Sequence, residues 1–522
     1  MLFDHLNLAY LGAFSRGFYQ VKALVDKRGE QGITDHHLLA KCFEANVDRS
    51  VFQNRTDLAT FVRALDETTQ EKLTHELRVP VDKATLLDLQ QGLKALGLPD
   101  EFLHAATSAP PHIHSKYYSP VPSAPELYGY QKAVFQEALD FLGPPHGRCI
   151  IQMPTGAGKT RTALQVVFDF LNQGQSVLWL ANTEELIEQC VQSFDELWPG
   201  QCRQASWVIN HVGQASEPTG EKPVAFHLAT IQSIARNAGK KVDAFESHGH
   251  QISLVVIDEA HISLAPKYKE ALEAFCFHKG RRLLGLSATP GRGANRAKEN
   301  AALARFFHQN LVKLTPPPPH DTALSFLQSE GVLAKPTYFP LEIEWAEELI
   351  EQFYEEYGHG ASEQELTTWI GNNESRNSLI LEKLLKLCRE GKQIIYFGTS
   401  VQQSELMAAM LRLEDIPSAS ISAQTKGRRS LIAQFKSGQI QVLCNYGVLS
   451  TGFDAPQTDV VFIARPTSSI ILYHQMIGRG LRGPKFGGSE HCEVVTVLDN
   501  LEGLVSSEQI LDYFDGHFEV CV

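Results

Sequence analysis

The chain has 522 residues, too many for one compact core, so two to four domains are expected. Its 43 % hydrophobic and 20 % charged content are those of an ordinary globular protein, and a net charge of −13 argues against coating nucleic acid by bulk positive charge. That balance does not exclude a strand-tracking groove, because backbone amides, hydroxyls and a few local cations can hold phosphates.

No stretch of about 18 uninterrupted apolar residues occurs, and the start MLFDHLNLAYLGAFSRG lacks the basic and small-residue signals of a secretory leader. A cytoplasmic protein without a membrane segment is expected. The nine cysteines are scattered, with no C-x-x-C pair, which disfavours a zinc ribbon or a disulfide framework. His112 and His114 form an H-x-H in a proline-rich stretch without further ligands nearby, and a solvated linker is the preferred reading there.

Residues 1–108 read as a mostly helical accessory domain: ALVDKRG, DLATFVRALDETTQEKLTHEL and DKATLLDLQQGLKALGL place apolar residues three and four apart. The region is nearly neutral, and its expected role is that of a helical accessory or a module that docks a protein partner. Residues 109–125 are proline-rich and read as a linker.

From residue 126 to 314, the apolar runs RCIIQ, SVLWLA, AFHLAT, SLVVID and RLLGLS alternate with helical patterns, which predicts a parallel sheet covered on both faces. TPPPPH, residues 315–320, ends that series. After a charged helical stretch, QIIYFG, QVLCN, DVVFIA and EVVTVL predict a second α/β unit over residues 335–500. Residues 501–522 form a tail that could dock on either unit.

The stretch MPTGAGKT, residues 153–160, lies between the strand CIIQ and an amphipathic helix beginning KTRTALQVVFDFL, the setting of a phosphate loop. Gly156 and Gly158 let amides converge on phosphate oxygens at a helix N-terminus. Lys159 is placed to reach the β/γ-phosphates and Thr160 to ligate Mg²⁺. Met153 stands where the strict pattern has glycine; the cradling amides run from Thr155 through Ala157 to Thr160, so its side chain can pack beneath the loop. Further on, SLVVIDEAH ends an apolar strand in Asp258 and Glu259, suited to holding Mg²⁺ and to orienting or deprotonating water.

MPTGAGKT, IDEAH, LSATP and QMIGRGLR, in that order, resemble motifs I, II, III and VI of superfamily 2 helicases with the DEAH form of motif II. The resemblance covers residues 126 to about 500. It implies two tandem RecA-like domains that bind ATP and Mg²⁺ between them. It also implies that Gln131 of LYGYQ reads adenine, that His261, Ser287 and Thr289 couple the nucleotide site to the strand, and that Gly452 and Asp454 of STGFDAP lie near the ribose and the interdomain seam.

Gln475, Gly478, Arg479 and Arg482 match motif VI. A guanidinium stabilises charge spreading over a transferring γ-phosphoryl group, so hydrolysis becomes conditional on closure of the second unit. Motifs Ia and Ib would offer Asn182, Thr183, Thr230 and Gln232 to nucleic acid, and the second unit Thr399 and Thr451. The same threonines could equally cap helices. Within the superfamily the motifs are most similar to RadD-like and XPB-like helicases and to the motor subunits of type I restriction enzymes, which implies DNA more than RNA as the track. A motor subunit of a restriction or phage-defence complex and an RNA helicase are the alternatives.

Overall fold

A computed structural model describes the chain except for residues 1, 13–17, 30–31, 48, 78, 104–114, 119–126, 200–205, 211–223, 236–251, 277–279, 289–296, 359–361, 426, 450–454, 456, 468–469 and 500–522. Thr289, Thr451, Gly452, Asp454, the two linker histidines and the C-terminal tail lie outside the described residues.

The N-terminal region is helical, as its apolar spacing predicts: α1 (Leu8–Gly12), α2 (Phe18–Arg28), α3 (Asp35–Asn46), α4 (Arg55–Arg63), α5 (Glu67–Leu77), α6 (Leu86–Ala95) and α7 (Asp100–Leu103). Thr34, Asn54 and Thr85 cap α3, α4 and α6 through their side chains. Phe3, Phe43, Phe52, Phe61 and Phe102 are almost wholly buried and meet in ring contacts that centre this bundle.

The linker contains one element that its prolines hid: β1 (Ser115–Tyr118) pairs antiparallel with β4 (Ser206–Asn210) at the edge of the first sheet. SKYY carries two aromatics suited to a strand, and the prolines fall outside it.

The first α/β domain comprises α8 (Gly129–Leu142), β2 (Arg148–Gln152), α9 (Lys159–Asn172), β3 (Ser176–Ala181), α10 (Glu184–Leu197), β4, β5 (Ala225–Thr230), α11 (Ile231–Ala235), β6 (Ile252–Asp258), α12 (Pro266–Cys276), β7 (Arg282–Ser287), α13 (Ala297–Phe306) and β8 (Leu311–Lys313). The sheet order is β1-β4-β5-β3-β6-β7-β2-β8, parallel throughout except for β1. β3 is buried along its whole length, the consequence of helices covering both faces.

α14 (Ala323–Ser329) leads into the second domain: β9 (Lys335–Ile343), α15 (Glu347–Tyr357), α16 (Glu363–Asn372), α17 (Glu374–Arg389), β10 (Ile394–Phe397), α18 (Val401–Leu413), β11 (Ser418–Ile421), α19 (Arg428–Lys436), β12 (Val442–Asn445), β13 (Val460–Ile463), α20 (Ile470–Ile477) and β14 (His491–Asp499). Its parallel sheet runs β11-β12-β10-β13-β14-β9. β9 carries Pro336 and Pro340, which its position at the sheet edge tolerates.

The two α/β units are RecA-like, matching the predicted fold class. The accessory bundle, however, docks on its own chain. Val21, Leu24, Val25, Leu38, Cys42 and Ala45 of α2 and α3 join the core of the second domain. Beside them lies a buried ionic cluster in which Arg412 Nη1 donates to Glu44 Oε1 at 3.0 Å and Arg412 Nε to the Ser418 carbonyl at 2.8 Å. Lys41 completes it, 3.5 Å from Glu44.

Candidate nucleotide site between two domains

β2 delivers the chain to the phosphate loop and α9 carries it away. Met153 is fully buried, and its N–H donates to the carbonyl of Ser287 at 3.3 Å, so the residue replacing the usual glycine ties the loop to the end of β7. Gly156 and Gly158 have φ of +92° and +84°, a region that L side chains rarely adopt. Tyr130 Oη donates to the Ala157 carbonyl at 3.0 Å and the Gln131 amide at 3.3 Å.

Gln131 is wholly buried; its Oε1 accepts from the Tyr128 N–H at 3.1 Å, and a Cβ on Gly158 would collide with its amide. The side chain thus braces the loop from inside. The neighbouring Tyr128 ring, which motif reading did not single out, stacks parallel to Tyr130 at 5.9 Å and lies near Arg161, Lys485 and Phe486. Its aromatic character, two residues before Tyr130, was the available signal.

β6 ends at Asp258, which is 6 % exposed, and Glu259 follows with φ +58°, a strained backbone of the kind found at active sites. Asp258 Oδ1 accepts from the Glu259 N–H at 3.0 Å, and His261 Nδ1 lies 3.3 Å from Glu259 Oε2. Burial and the adjacent Glu259 charge push the Asp258 carboxyl up, against the pull of Lys159 and His261. Burial also opposes ionisation of Glu259, but the charge of Lys159, the hydrogen bond and charge of His261, and the charge of Arg479 together hold its carboxyl below the ordinary range. Glu259 is therefore a fixed carboxylate able to accept hydrogen bonds from water. Thr160 stands half-buried in the first turn of α9.

The second domain closes the site. A Cβ on Gly478 would stand 2.7 Å from Thr155 Cγ2, so motif VI lies directly against the phosphate loop. A Cβ on Gly156 would stand 2.8 Å from Arg482 Nη1 and 2.7 Å from Leu333 Cδ2. Arg482 is steadied by the interdomain segment. Leu333 bridges antiparallel to it, the Ala334 N–H donates to Leu481 O at 3.1 Å, and the Gly483 N–H donates to Val332 O at 3.0 Å. Arg479 Nε donates to the Gln475 carbonyl at 3.1 Å, which orients the guanidinium from the end of α20.

The residues expected to meet nucleic acid cluster at strand ends of the first domain. Gln232 Nε2 donates to both the carbonyl and the Oδ1 of Asn182, at 2.8 and 2.7 Å, joining the segments after β3 and β5. Thr183 caps α10, and Thr230 Oγ1 accepts from the Ser233 N–H at 3.3 Å. Thr399, in the second domain, is 2 % exposed beneath Gly371 at the end of α16.

A glycine cradle after β2, two acids at the end of β6 one strand away across β7, and arginines from a second domain define a two-domain nucleotide hydrolase. Residues 124–292 match the domain family described as type III restriction enzyme, res subunit, and residues 378–483 match the helicase conserved C-terminal domain. The chain belongs to the superfamily 2 helicases, a family of ATP-hydrolysing enzymes. Among its relatives, a Saccharomyces cerevisiae protein named as an ATP-dependent helicase, IRC3, is 23 % identical over 74 % of this chain and 54 % of its own length. The ATP-dependent DNA helicase RecG of Escherichia coli is 21 % identical over 66 % of this chain and 44 % of its own. An African swine fever virus protein named as an RNA helicase, QP509L, is 31 % identical over 31 % of this chain and 29 % of its own. The chain thus spans about half the length of the IRC3 relative it matches.

Proposed function

We propose that this protein is a motor that couples ATP hydrolysis to movement along nucleic acid, with DNA as its track. The observation that carries this reading is the approach of Arg482 and Gly478 to Gly156 and Thr155, because it makes one catalytic centre out of two bodies. Closing and opening such a centre changes the spacing of whatever strand the two domains hold.

In this reading the amides of Thr155 to Thr160 bind the ATP phosphates, Lys159 neutralises their charge, and the Tyr128 ring is placed for adenine. The Thr160 hydroxyl and the buried Asp258 carboxylate suit Mg²⁺, which supplies charge neutralisation at the β/γ-phosphates. Glu259 accepts a proton or hydrogen bond from the attacking water, while Arg479 and Arg482 stabilise the γ-phosphoryl oxygens as charge spreads over them. His261 orients Glu259, and Ser287 relays changes at the loop through its carbonyl bond with Met153. Asn182, Thr183, Thr230, Gln232 and Thr399 lie at strand ends where the sheets of both domains face a shared track.

Among the described residues no helix is long and apolar enough to cross a membrane, and Cys42, Cys149, Cys190, Cys388, Cys444 and Cys492 are free. Free buried thiols suit a reducing, cytoplasmic setting. DNA is preferred over RNA because the RecG relative covers far more of this chain than the RNA-helicase-named one.

Measuring ATP hydrolysis with single-stranded DNA, duplex DNA and RNA tests this choice. Stimulation by DNA supports it, and stimulation by RNA alone would reassign the track. A second reading, a motor subunit within a restriction-type assembly, draws on the similarity of residues 124–292 to a restriction-enzyme subunit. A native mass larger than the single chain, when it is purified with the products of neighbouring genes, would favour that reading.

A further inference from the structure

A groove of about 990 Å³ opens on the second domain at the carboxyl ends of its parallel strands. Thr399 and Ser400 follow β10, Tyr446 follows β12, and Arg465 follows β13. β10 is flanked by β12 on one side and β13 on the other, which makes it the switch point of the sheet, the place where open parallel sheets take ligands. Two further walls come from outside the sheet: Gln364, Thr367 and Thr368 of α16, and Phe18, Tyr19 and Gln20 from the first turn of α2 in the accessory bundle.

We infer that this groove receives unstacked bases of a single nucleic-acid strand, with Tyr19 as the stacking platform; the inference rests on the nucleic-acid reading above. Phe18 packs against the second-domain core, while the adjoining Tyr19 is 83 % exposed, its ring 5.4 Å from that of Phe18. A large aromatic side chain left in water beside an anchored neighbour is a presented surface, not a packing residue. α2 is held on the second domain at both ends: in its first turn Gln20 Nε2 donates to Asn372 Oδ1 at 3.3 Å, and in its last turn Lys27 Nζ donates to Ser375 Oγ at 2.6 Å.

The lining chemistry suits bases. Arg465 and Glu405 balance in charge, and the other polar groups are amides and hydroxyls, which suit base edges and offer no net attraction to an anionic backbone. The Arg465 guanidinium lies 5.0 Å from the Tyr446 ring centre, so a second flat surface lines the same groove. At the floor, Thr399 is 2 % exposed, its hydroxyl turned toward Gly371 of α16.

The floor is also preorganised. Gln403 Oε1 accepts from the Thr399 N–H at 3.2 Å while its amide donates to Asn377 Oδ1 at 3.2 Å. Arg376 donates at 2.6 Å to the carbonyl of Ala464, immediately before Arg465. The accessory bundle therefore acquires a role: it rides on the second domain and extends the track there.

The test compares the full chain with its Tyr19→Ala variant by fluorescence anisotropy. The probes are a single-stranded DNA oligonucleotide and the same oligonucleotide with abasic sites, each titrated over a range of salt. The variant should bind the normal oligonucleotide roughly tenfold more weakly. It should match the unaltered protein on the abasic strand and keep the same slope of log affinity against log salt, because stacking releases no counterions. Tyr19→Phe should restore binding.

Equal affinity of Tyr19→Ala and the unaltered protein for the normal strand would overturn the inference alone and hand the groove to a protein partner. An equal loss on abasic and normal strands would also overturn it. Absence of binding to either DNA or RNA by the unaltered protein would remove the inference together with the reading beneath it.

Discussion

Gly478 of the second domain and Thr155 of the phosphate loop are 323 residues apart in the chain, yet a Cβ on the glycine would stand 2.8 Å from the threonine Cβ. No side chain fits between the two domains there, so the absence of one at position 478 sets how closely the second domain can approach. The contact lies four residues before Arg482 and thereby fixes where that guanidinium arrives.

Gly478→Ala should hold the domains apart. Misplacing a catalytic group by about 1 Å costs on the order of 10²-fold in rate, and a loss of that size in kcat is expected while ATP binding to the first domain persists. Steady-state hydrolysis alongside nucleotide titration separates the two, and unchanged kcat would show that the closed contact is not the active one.

Glu259→Gln retains shape and removes the carboxylate that Lys159, His261 and Arg479 hold ionised. Loss of a positioned base costs roughly 10²–10⁴-fold, so hydrolysis should collapse while ATP binding is kept. A phosphate-release assay showing ordinary turnover in this variant would remove Glu259 from the chemistry.

Arg376 is fully buried and donates to both oxygens of Asp499 at 2.7 Å, joining α17 to the end of β14. Arg376→Met strands a buried carboxylate, which typically costs about 3–5 kcal/mol. Thermal melting should show a clear drop in Tm, and an unshifted Tm would mean that the pair adds nothing to stability.

Arg412→Ala should release the accessory bundle by leaving Glu44, which is 2 % exposed, without its guanidinium partner. Removing one member of such a pair costs on the order of 3–5 kcal/mol. Hydrogen exchange would report this as faster exchange of α2 and α3, with β2, β3 and β6 protected as before. Unchanged protection of α3 would mean that the apolar contacts suffice for docking.

Much of the first domain was legible because its signals are local. MPTGAGKT follows a strand and opens a helix, and DEAH closes a buried strand, so neighbouring residues carry each meaning. β9 was hidden by Pro336 and Pro340, which read as breakers until the strand is seen at a sheet edge. β11 was hidden because SASI is half serine, and Ser418 becomes strand-compatible only when its hydroxyl donates to the Ala408 carbonyl at 2.8 Å. The bundle's docking target was not legible at all. The apolar face of α2 looks the same whether it packs on this chain or on another, and the contacts that distinguish them, such as Glu44 with Arg412, join residues as far as 368 positions apart. The same holds for Tyr19, whose exposure is a property of the fold.

The central claim, that ATP is hydrolysed in a centre completed by the second domain, is tested most directly by the Arg482→Ala variant, whose unaltered side chain reaches the backbone of Gly156. The measurement is kcat for ATP hydrolysis at saturating single-stranded DNA, in protein shown to melt and bind ATP like the unaltered chain. The expected result is a fall of roughly 10²–10³-fold, the loss that follows when a donor aimed at developing charge is removed. Undiminished DNA-stimulated turnover would contradict it.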